Sequence, residues 1–525
     1  MKTNFKPLGL VAAVAAASAG YAGVVNATAS VAAETELGDL AIVPYYTVLD
    51  GYSTGVNIIN SSDRTQVLKF RFRRAVDSMD ALDFNVVLSP RDMYTGFIGK
   101  GAGDKIFWTS NDNSCVAPSY GNLTAADNQF ELPPLYSIGA ETGYIEIISM
   151  GSPLTETAPI AVSAKHDAEG VPADCGLVRD NFFANGNPAS TTKGVINSAL
   201  THQGASPADA SEYEASPDSL KVSYFIKSDE TGVEFGDNAV HIAGFLDTPA
   251  MTNQQTGLFS NDLQGFDYPD LNGGSPLDEL NAGIGPSRGK YNDLRAILAA
   301  TTLINDWSNN SVEALGATVD TDWVVTFPGQ YVMLDLATYL LGGGIAGTSD
   351  VCVRDGEGDV EEGTVDCDYR DIPVTATFNV YDREEQGIVI EEGELVVSPS
   401  PPVTVPPEAL KDEVNVIQWG DAPVLNAPTS VSVSTPEGAK FGWASLSTVS
   451  SDDLALCDIV WDLSGFDPDL PNSGIEANYE CSIEATGSVP VVGFAAWQRA
   501  FAANPGSNYG RIVDHSREQA AASAD

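Results

Sequence analysis

The stretch Val67-Leu68-Lys69-Phe70-Arg71-Phe72-Arg73 constrains the fold more than any other part of the chain. Its side chains alternate with the two-residue period of a β-strand, placing Leu68, Phe70 and Phe72 on one face and Lys69, Arg71 and Arg73 on the other. One face belongs to a core and the other is cationic. Upstream, Tyr45-Tyr46-Thr47-Val48 runs into Asp50-Gly51, and Gly55-Val56-Asn57-Ile58-Ile59-Asn60 follows before Ser61-Ser62-Asp63. This order predicts a hairpin and then a second turn. Downstream, Asp83 to Leu88, stopped by Ser89-Pro90-Arg91-Asp92, and Tyr94 to Ile98 supply two more short strands at the spacing of a sandwich.

Period-two runs recur along the chain. They are Gly143 to Ile148, Ile160 to Ala164, Leu220 to Ile226, Trp323 to Phe327, Gln330 to Leu336 and Val374 to Tyr381. In the last of these Val374, Ala376, Phe378 and Val380 share a face. Further runs are Val414 to Trp419, Ser430 to Ser434, Lys440 to Leu446, Cys457 to Leu463 and Val491 to Trp497. Between them, Trp108 to Pro134 reads as a long loop, as does Asp167 to Pro217 with a short helix near Val195 to Thr201. Pro249 to Pro286 has little period, and Asp293 to Trp307 places Leu294, Ile297, Leu298, Ile304 and Trp307 at helical spacing, a stripe suited to packing on a sheet. Ser398 to Pro407 reads as extended polyproline crossing a sheet edge. The fold expected is mainly β, with two antiparallel, Ig-like β-sandwich regions, long loops and a short helical insertion. Its parts are a sandwich over 34–248, the insertion over 249–320, a second sandwich over 321–515 and a flexible tail over 516–525.

The first 33 residues carry Lys2 and Lys6, an apolar run from Leu8 to Ala19 and small residues up to Ala33 before the first acid, Glu34. That order is the pattern of a secretory signal peptide, with Ala19 and Ala22 as competing cleavage positions. No later run reaches the roughly 18 apolar residues of a membrane helix. After cleavage, 24 basic residues face 72 acidic ones. Such a field repels phosphate backbones, which argues against nucleic acid as a partner, and favours solubility in a saline medium.

Six cysteines in an exported chain imply disulfides. A sequential pattern joins Cys115 to Cys175, Cys352 to Cys367 and Cys457 to Cys481, and no Cys-x-x-Cys spacing points to redox or haem chemistry.

Reactive motifs are sparse. Gly51-Tyr52-Ser53-Thr54-Gly55 matches the Gly-x-Ser-x-Gly pattern of a hydrolase elbow, but the short β-branched run after it places Ser53 in a hairpin rather than before a helix. His166-Asp167 and Asp514-His515 are adjacent residues, which point to opposite faces of a strand and do not make an oriented pair. No two histidines have the spacing of a zinc site. Carboxylate pairs of the kind used in glycoside hydrolysis arise in any fold with 72 acids and specify nothing. The single metal candidate is a calcium loop of Asp355, Glu357, Asp359, Glu361 and Asp366, with Val360 where the EF-hand turn needs glycine; a solvated acidic loop is the competing reading, so weak binding is the most the pattern supports. Otherwise no cofactor is implied. Tyr45, Tyr46, Trp108 and Trp443 are candidates to stack on sugars, against the ordinary role of aromatics in a sandwich core. Lys69, Arg71, Arg73, Arg74 and Arg91, with Arg64 nearby, form a candidate interaction face, to be paired with acidic loops of the same chain or with the acidic face of another copy.

Several pieces, Val43-Pro44-Tyr45-Tyr46-Thr47, Leu82 to Pro90, Trp323 to Pro328, Val414 to Ile417 and Asn508-Tyr509-Gly510, resemble a loose set of uncharacterised exported cell-surface proteins of proteobacteria. The resemblance spans both β regions and implies a location, at the surface of or outside a Gram-negative cell, without an activity or catalytic residues. The function expected is non-enzymatic, in attachment, matrix or surface assembly, through protein or glycan contacts or self-association. The alternative is a secreted hydrolase or glycan-binding protein.

Overall fold

A computed structural model describes residues 37–76, 78, 80–120, 128–132, 137–182, 212–251, 269–271, 273, 289–312, 316–329, 374–384, 387, 408–410, 412–420, 423–427, 430–450, 455–462, 476–483 and 490–518. The protein is mainly β, and among the described residues its sheets are antiparallel apart from one short parallel pairing between Val414–Gln418 and Ser430–Ser432.

The first sandwich is built between Leu40 and Ile242. Its first sheet has the strand order Val240–Ile242, Leu40–Thr47, Thr142–Pro153, Gln66–Arg74, Asp80–Leu88, Cys115–Ala117. Its second sheet runs Glu234–Asn238, Leu220–Ser228, Tyr52–Asn60, Met93–Lys100, Ile106–Thr109, Gln129–Glu131. The two meet through Leu68, Phe70, Phe72 and Phe84 on one side and Val56, Ile58, Tyr94 and Trp108 on the other, all essentially inaccessible to solvent. Trp108 sits 5.0 Å from Phe70 and 5.4 Å from Phe72, ring centre to ring centre. Each such side chain contributes about 1.5–3 kcal/mol on burial.

The expected hairpin at Asp50-Gly51 is corrected. Asp50 and Gly51 both take positive φ, 45° and 76°, and the Tyr52 N–H donates to the Leu49 carbonyl, the local geometry of a hairpin turn. Yet the flanking strands join different sheets. Thr54 ends the pairing after one rung, because its Oγ1 accepts from the Thr47 N–H at 3.0 Å and donates to the Thr47 carbonyl at 3.1 Å. Beyond that rung, Tyr52–Asn60 pairs with Leu220–Ser228 and Met93–Lys100 instead. A side chain has taken the place of a ladder, which turn chemistry alone does not reveal.

The second sandwich contains Glu408–Leu410, Val374–Asp382, Phe441–Ser450, Thr302–Ser308 and Ser516–Glu518 in a third sheet. Its fourth sheet has the order Ser430–Ser432, Val414–Gln418, Thr318–Thr326, Val492–Ala500, Tyr509–Asp514. Val374, Ala376, Phe378 and Val380 point into its core as expected, with Trp307 stacked on Trp419 at 6.0 Å and Trp323 edge-on to Trp419 at 4.7 Å. Strands Ala455–Asp462 and Glu476–Ile483 form a separate pair.

The central strands of the fourth sheet, Val414–Gln418, Thr318–Thr326 and Val492–Ala500, are buried on both faces over most of their length. Odd residues such as Trp323, Val325 and Trp497 enter the second core, while Val324, Val416, Phe494 and Ala496 belong to the core of the first sandwich. The contact is specific as well as apolar: Thr326 donates to the Pro44 carbonyl at 2.7 Å, Tyr52 donates to the Val424 carbonyl at 2.8 Å, and Tyr224 packs on Phe494.

Three local expectations change. The helix read over Asp293 to Trp307 spans Gly289–Leu298 only, burying Tyr291, Leu294 and Leu298; Thr302–Ser308 is a strand, in which Leu303 and Trp307 alternate inward. Here β-branched Thr301, Thr302 and Ile304 and the pairing with Phe441–Ser450 outweigh helical spacing. Ile160 to Ala164 is a helix, Pro159–Ala164, opened by its proline. The loops around Cys115 and Cys175 carry the strand Cys115–Ala117 and the helix Cys175–Asp180, whose first turn is capped by Asp174 accepting from the Leu177 N–H. The helix read near Val195 to Thr201, the Gln330 to Leu336 run, the polyproline stretch and residues 1–36 lie outside the described residues.

Candidate functional site

The cationic strand is interior. Lys69, Arg71 and Arg73 lie on the outer face of the first sheet and are fully buried, and of the two pairings expected it is the one within the chain that forms, as an internal ionic layer. Register explains the pairing. Arg71 lies opposite Asp83 on one neighbouring strand and Glu146 on the other, and Arg73 opposite Asp80 and Tyr144. Lys69 Nζ reaches Asp83 Oδ1 at 2.9 Å, Arg71 Nε lies 3.3 Å from Asp80 Oδ2, and Arg71 Nη1 lies 3.4 Å from Glu146 Oε2. Arg73 contacts Asp80 Oδ1 at 2.6 Å and Glu146 Oε1 at 2.9 Å. Tyr144 also donates to Glu146 Oε1, at 3.0 Å. The partners are strand carboxylates rather than acidic loops, and all of them are as buried as the cations.

Backbone from one distant segment and from the turn after the strand closes the layer. Arg71 donates to the Pro269 carbonyl at 2.9 Å and Arg73 to the Ser78 carbonyl at 3.0 Å. Burial works against the Arg71 charge, but Asp80, Asp83 and Glu146 outweigh it and raise its pKa. Glu413, contributed by the second sandwich, accepts from the Gly329 N–H beside Tyr144. Burial pushes its carboxyl up to about 8, against the hydrogen bond to Tyr144 and the attraction of Arg73. The same sheet face continues into an apolar patch where Val67, Val87 and Met150 are covered by Ile160 and Val178 of the two short helices. Arg74 is buried too and donates to the Ile138 carbonyl at 2.7 Å. Of the expected set, Arg91 alone is exposed, paired with Asp63 at 2.9 Å, and nearby Arg64 pairs with Glu156 at 3.4 Å.

Ser53 lies inside the strand Tyr52–Asn60, opposite Lys227, so the strand–turn–helix context of a nucleophile elbow is not formed there. His515 is a core residue. Its Nε2 meets the Val324 carbonyl at 3.0 Å and its Nδ1 the Asn305 amide at 3.1 Å, and burial pulls its pKa down to about 4. His166 does not act with Asp167; its Nδ1 lies 3.3 Å from Ser89 Oγ and 3.5 Å from Asp92 Oδ2. Sequence reasoning missed this cluster because 77 positions separate Ser89 from His166. Serine and carboxylate approach the same ring nitrogen, so the imidazole is not strung between them as in a catalytic triad.

Cys115 and Cys175 form the expected disulfide, with Cα atoms 5.2 Å apart. Cys457 and Cys481 are Cα partners across an antiparallel pair, a separation of about 4.5–5.5 Å that lies in the range a disulfide spans. Cys352, Cys367 and the calcium candidates Asp355, Glu357, Asp359, Glu361 and Asp366 lie outside the described residues. Among the described residues no group of three or more His, Cys, Asp or Glu side chains is arranged to hold a metal, and no helix is long and apolar enough to cross a membrane.

Of the four aromatics considered for sugar stacking, Tyr45, Tyr46 and Trp108 are buried in cores and Trp443 is 40 % exposed. It stands on the outer face of the third sheet, stacked on Tyr381 at 4.5 Å with ring planes 19° apart. Register places Asp306, Trp443 and Tyr381 side by side on three adjacent strands, followed by the rows Ile304, Ser445, Asn379 and Thr302, Ser447, Thr377. All of these are at least partly exposed, so this face is turned to water. No protein-family model, curated protein or solved structure matches the chain.

Proposed function

We propose that the chain is an exported protein of the bacterial surface or exterior with a non-enzymatic role in attachment, matrix or surface assembly. The observation that supports this best is the water-facing outer sheet of the second sandwich, which presents an aromatic pair and rows of hydroxyl and amide groups on a framework fixed from behind by the second core. Rigid placement of a polar and aromatic face is what a binding surface requires. The Cys115–Cys175 disulfide, the signal-like N-terminus, the resemblance to exported proteobacterial proteins and the excess of 72 acids over 26 bases accord with life outside the cytoplasm.

The competing reading, a secreted hydrolase, would rest on Ser89, Asp92 and His166. Their shared approach to one nitrogen disfavours it. Fractionation of the native cells, combined with antibody labelling of intact cells, tests the proposal. Recovery in the medium or labelling of the intact surface is expected; confinement to the cytoplasm would overturn it. Loss of attachment in a deletion strain, restored by the intact gene, would assign the role to this protein.

A further inference from the structure

We infer that the outer face of the third sheet binds a neutral β-1,4-linked hexopyranose chain, with Trp443 as its stacking platform and Asp306 as a hydroxyl acceptor. This rests on the attachment reading and names the ligand class for it. Trp443 keeps 40 % of its surface in water although it sits in a regular strand, where a tryptophan would normally be covered. Tyr381 braces one side of the ring at 4.5 Å, so the indole is held upright without a core of its own. The Trp443 backbone is fixed as well, since its carbonyl accepts from the buried Trp307 indole at 3.2 Å.

The flanking groups select among ligands. Asp306, directly opposite Trp443 in register, has no ion-pair partner among the described residues. Its carboxylate accepts hydrogen bonds only, which suits a donor-rich hydroxylated ligand and repels an anionic one. The charge of the whole chain, formally −46, works in the same direction, against uronic acids, sulfated glycans and phosphate polymers. Beyond this row, Ser445 and Asn379, joined at 3.4 Å, and then Ser447 and Thr302, also at 3.4 Å, offer hydroxyl and amide groups. Adjacent strands lie about 4.8 Å apart, so three strands present a surface roughly 10 Å wide, close to the length of two pyranose units. A β-1,4-linked hexopyranose with equatorial hydroxyls offers flat C–H faces to an indole and a rim of hydroxyls to the flanking polar groups, matching both halves of the site.

The test uses the full mature chain and isothermal titration with cellohexaose, chitohexaose and an oligoalginate. Binding of at least one neutral hexasaccharide, with none to the alginate, is expected. Trp443→Ala should weaken it by about tenfold or more, with Trp443→Phe retaining most of the affinity because the stacking surface persists. Asp306→Asn should weaken it roughly threefold, the scale of one hydrogen bond. A single cooperative unfolding transition in each variant, with no more than the small drop in melting temperature expected from losing the Tyr381 contact, confines the effect to binding. No heat with either neutral oligosaccharide at millimolar concentration, binding indifferent to Trp443→Ala, or preference for alginate would each overturn the assignment. Surface labelling of cells carrying the native chain separates this from the broader reading: a native chain displayed at the surface that gives no heat with either neutral oligosaccharide sinks the ligand class alone, whereas a native chain absent from both surface and medium sinks the attachment role.

Discussion

Two sheet faces in this protein carry the chemistry that a sandwich ordinarily keeps apart, and they have it the wrong way round. The outer face of the first sheet bears Lys69, Arg71 and Arg73 and is sealed from water, while the outer face of the third bears Trp443 and Tyr381 and is open to it. Alternation decides which residues share a face, but whether that face meets solvent depends on what the rest of the chain lays over it. Over the first sheet lie Pro269, Ser78 and two short helices; the third sheet has no such cover among the described residues around Trp443.

The contrast can be broken most forcefully at Arg71. Arg71→Met leaves Glu146 and Asp83 short of a counter-charge in the interior, and the expected loss is about 3–5 kcal/mol in urea unfolding. A double replacement, Arg73→Met with Asp80→Asn, should cost less than the sum of its single changes, because each alone strands a charge that the pair removes together. Additive costs would show that the layer is hydrated and the burial is wrong.

Next in size is the disulfide. Cys115 and Cys175 are separated by 60 positions, and the chain-entropy relation puts such a loop at about 4 kcal/mol as an upper figure. Cys115→Ser with Cys175→Ser should lower the melting temperature and loosen the helix Cys175–Asp180, whereas the third sheet should keep its hydrogen-exchange protection.

Acidity discriminates next. Burial raises Asp39 to about 6, Asp322 to about 7 and Glu413 to about 8, so each folded carboxyl holds its proton more tightly than in the unfolded chain. Their contribution is complete below about pH 4 and is lost as pH rises through those values. His515 has the opposite sign: pulled down to about 4, it contributes fully above 6.5 and loses its contribution as pH falls. Above pH 6.5 the carboxyls alone are changing, so stability should fall between about pH 6.5 and 8.5. Asp322 lies between the sandwiches, accepting from the Val424 and Leu425 N–H groups, each at 2.8 Å. Asp322→Asn should flatten that decline, and an equal decline in the variant would remove Asp322 from the explanation.

The smallest effect is expected at the open face. Trp443→Ala removes one cross-strand aromatic contact and should cost no more than about 1 kcal/mol.

Much of this was legible in the sequence. Strand positions followed from alternation, as at Leu68, Phe70 and Phe72 or at Val374 to Val380, because each strand has one face in a core. The Cys115–Cys175 pair followed from the even number of cysteines and from the two shorter intervals, which leave these two for each other. What remained hidden depends on distant segments meeting. Lys69, Arg71 and Arg73 look like a surface until Asp80, Asp83 and Glu146 are brought into register, and the Asp50-Gly51 turn looks like a hairpin until its strands find partners in different sheets. Trp443 could be nominated from its type, but its exposure and its Tyr381 brace come only from pairing strands 62 positions apart.

Hydroxyl-radical footprinting of the folded protein, read residue by residue by mass spectrometry, compares the two faces in one sample. Trp443 and Tyr381 should label rapidly while Tyr144, at the edge of the ionic layer, and Trp108, Tyr45 and Tyr46 stay protected until the protein unfolds. Rapid labelling of Tyr144 together with protection of Trp443 would contradict the assignment of inside and outside on which the binding face depends.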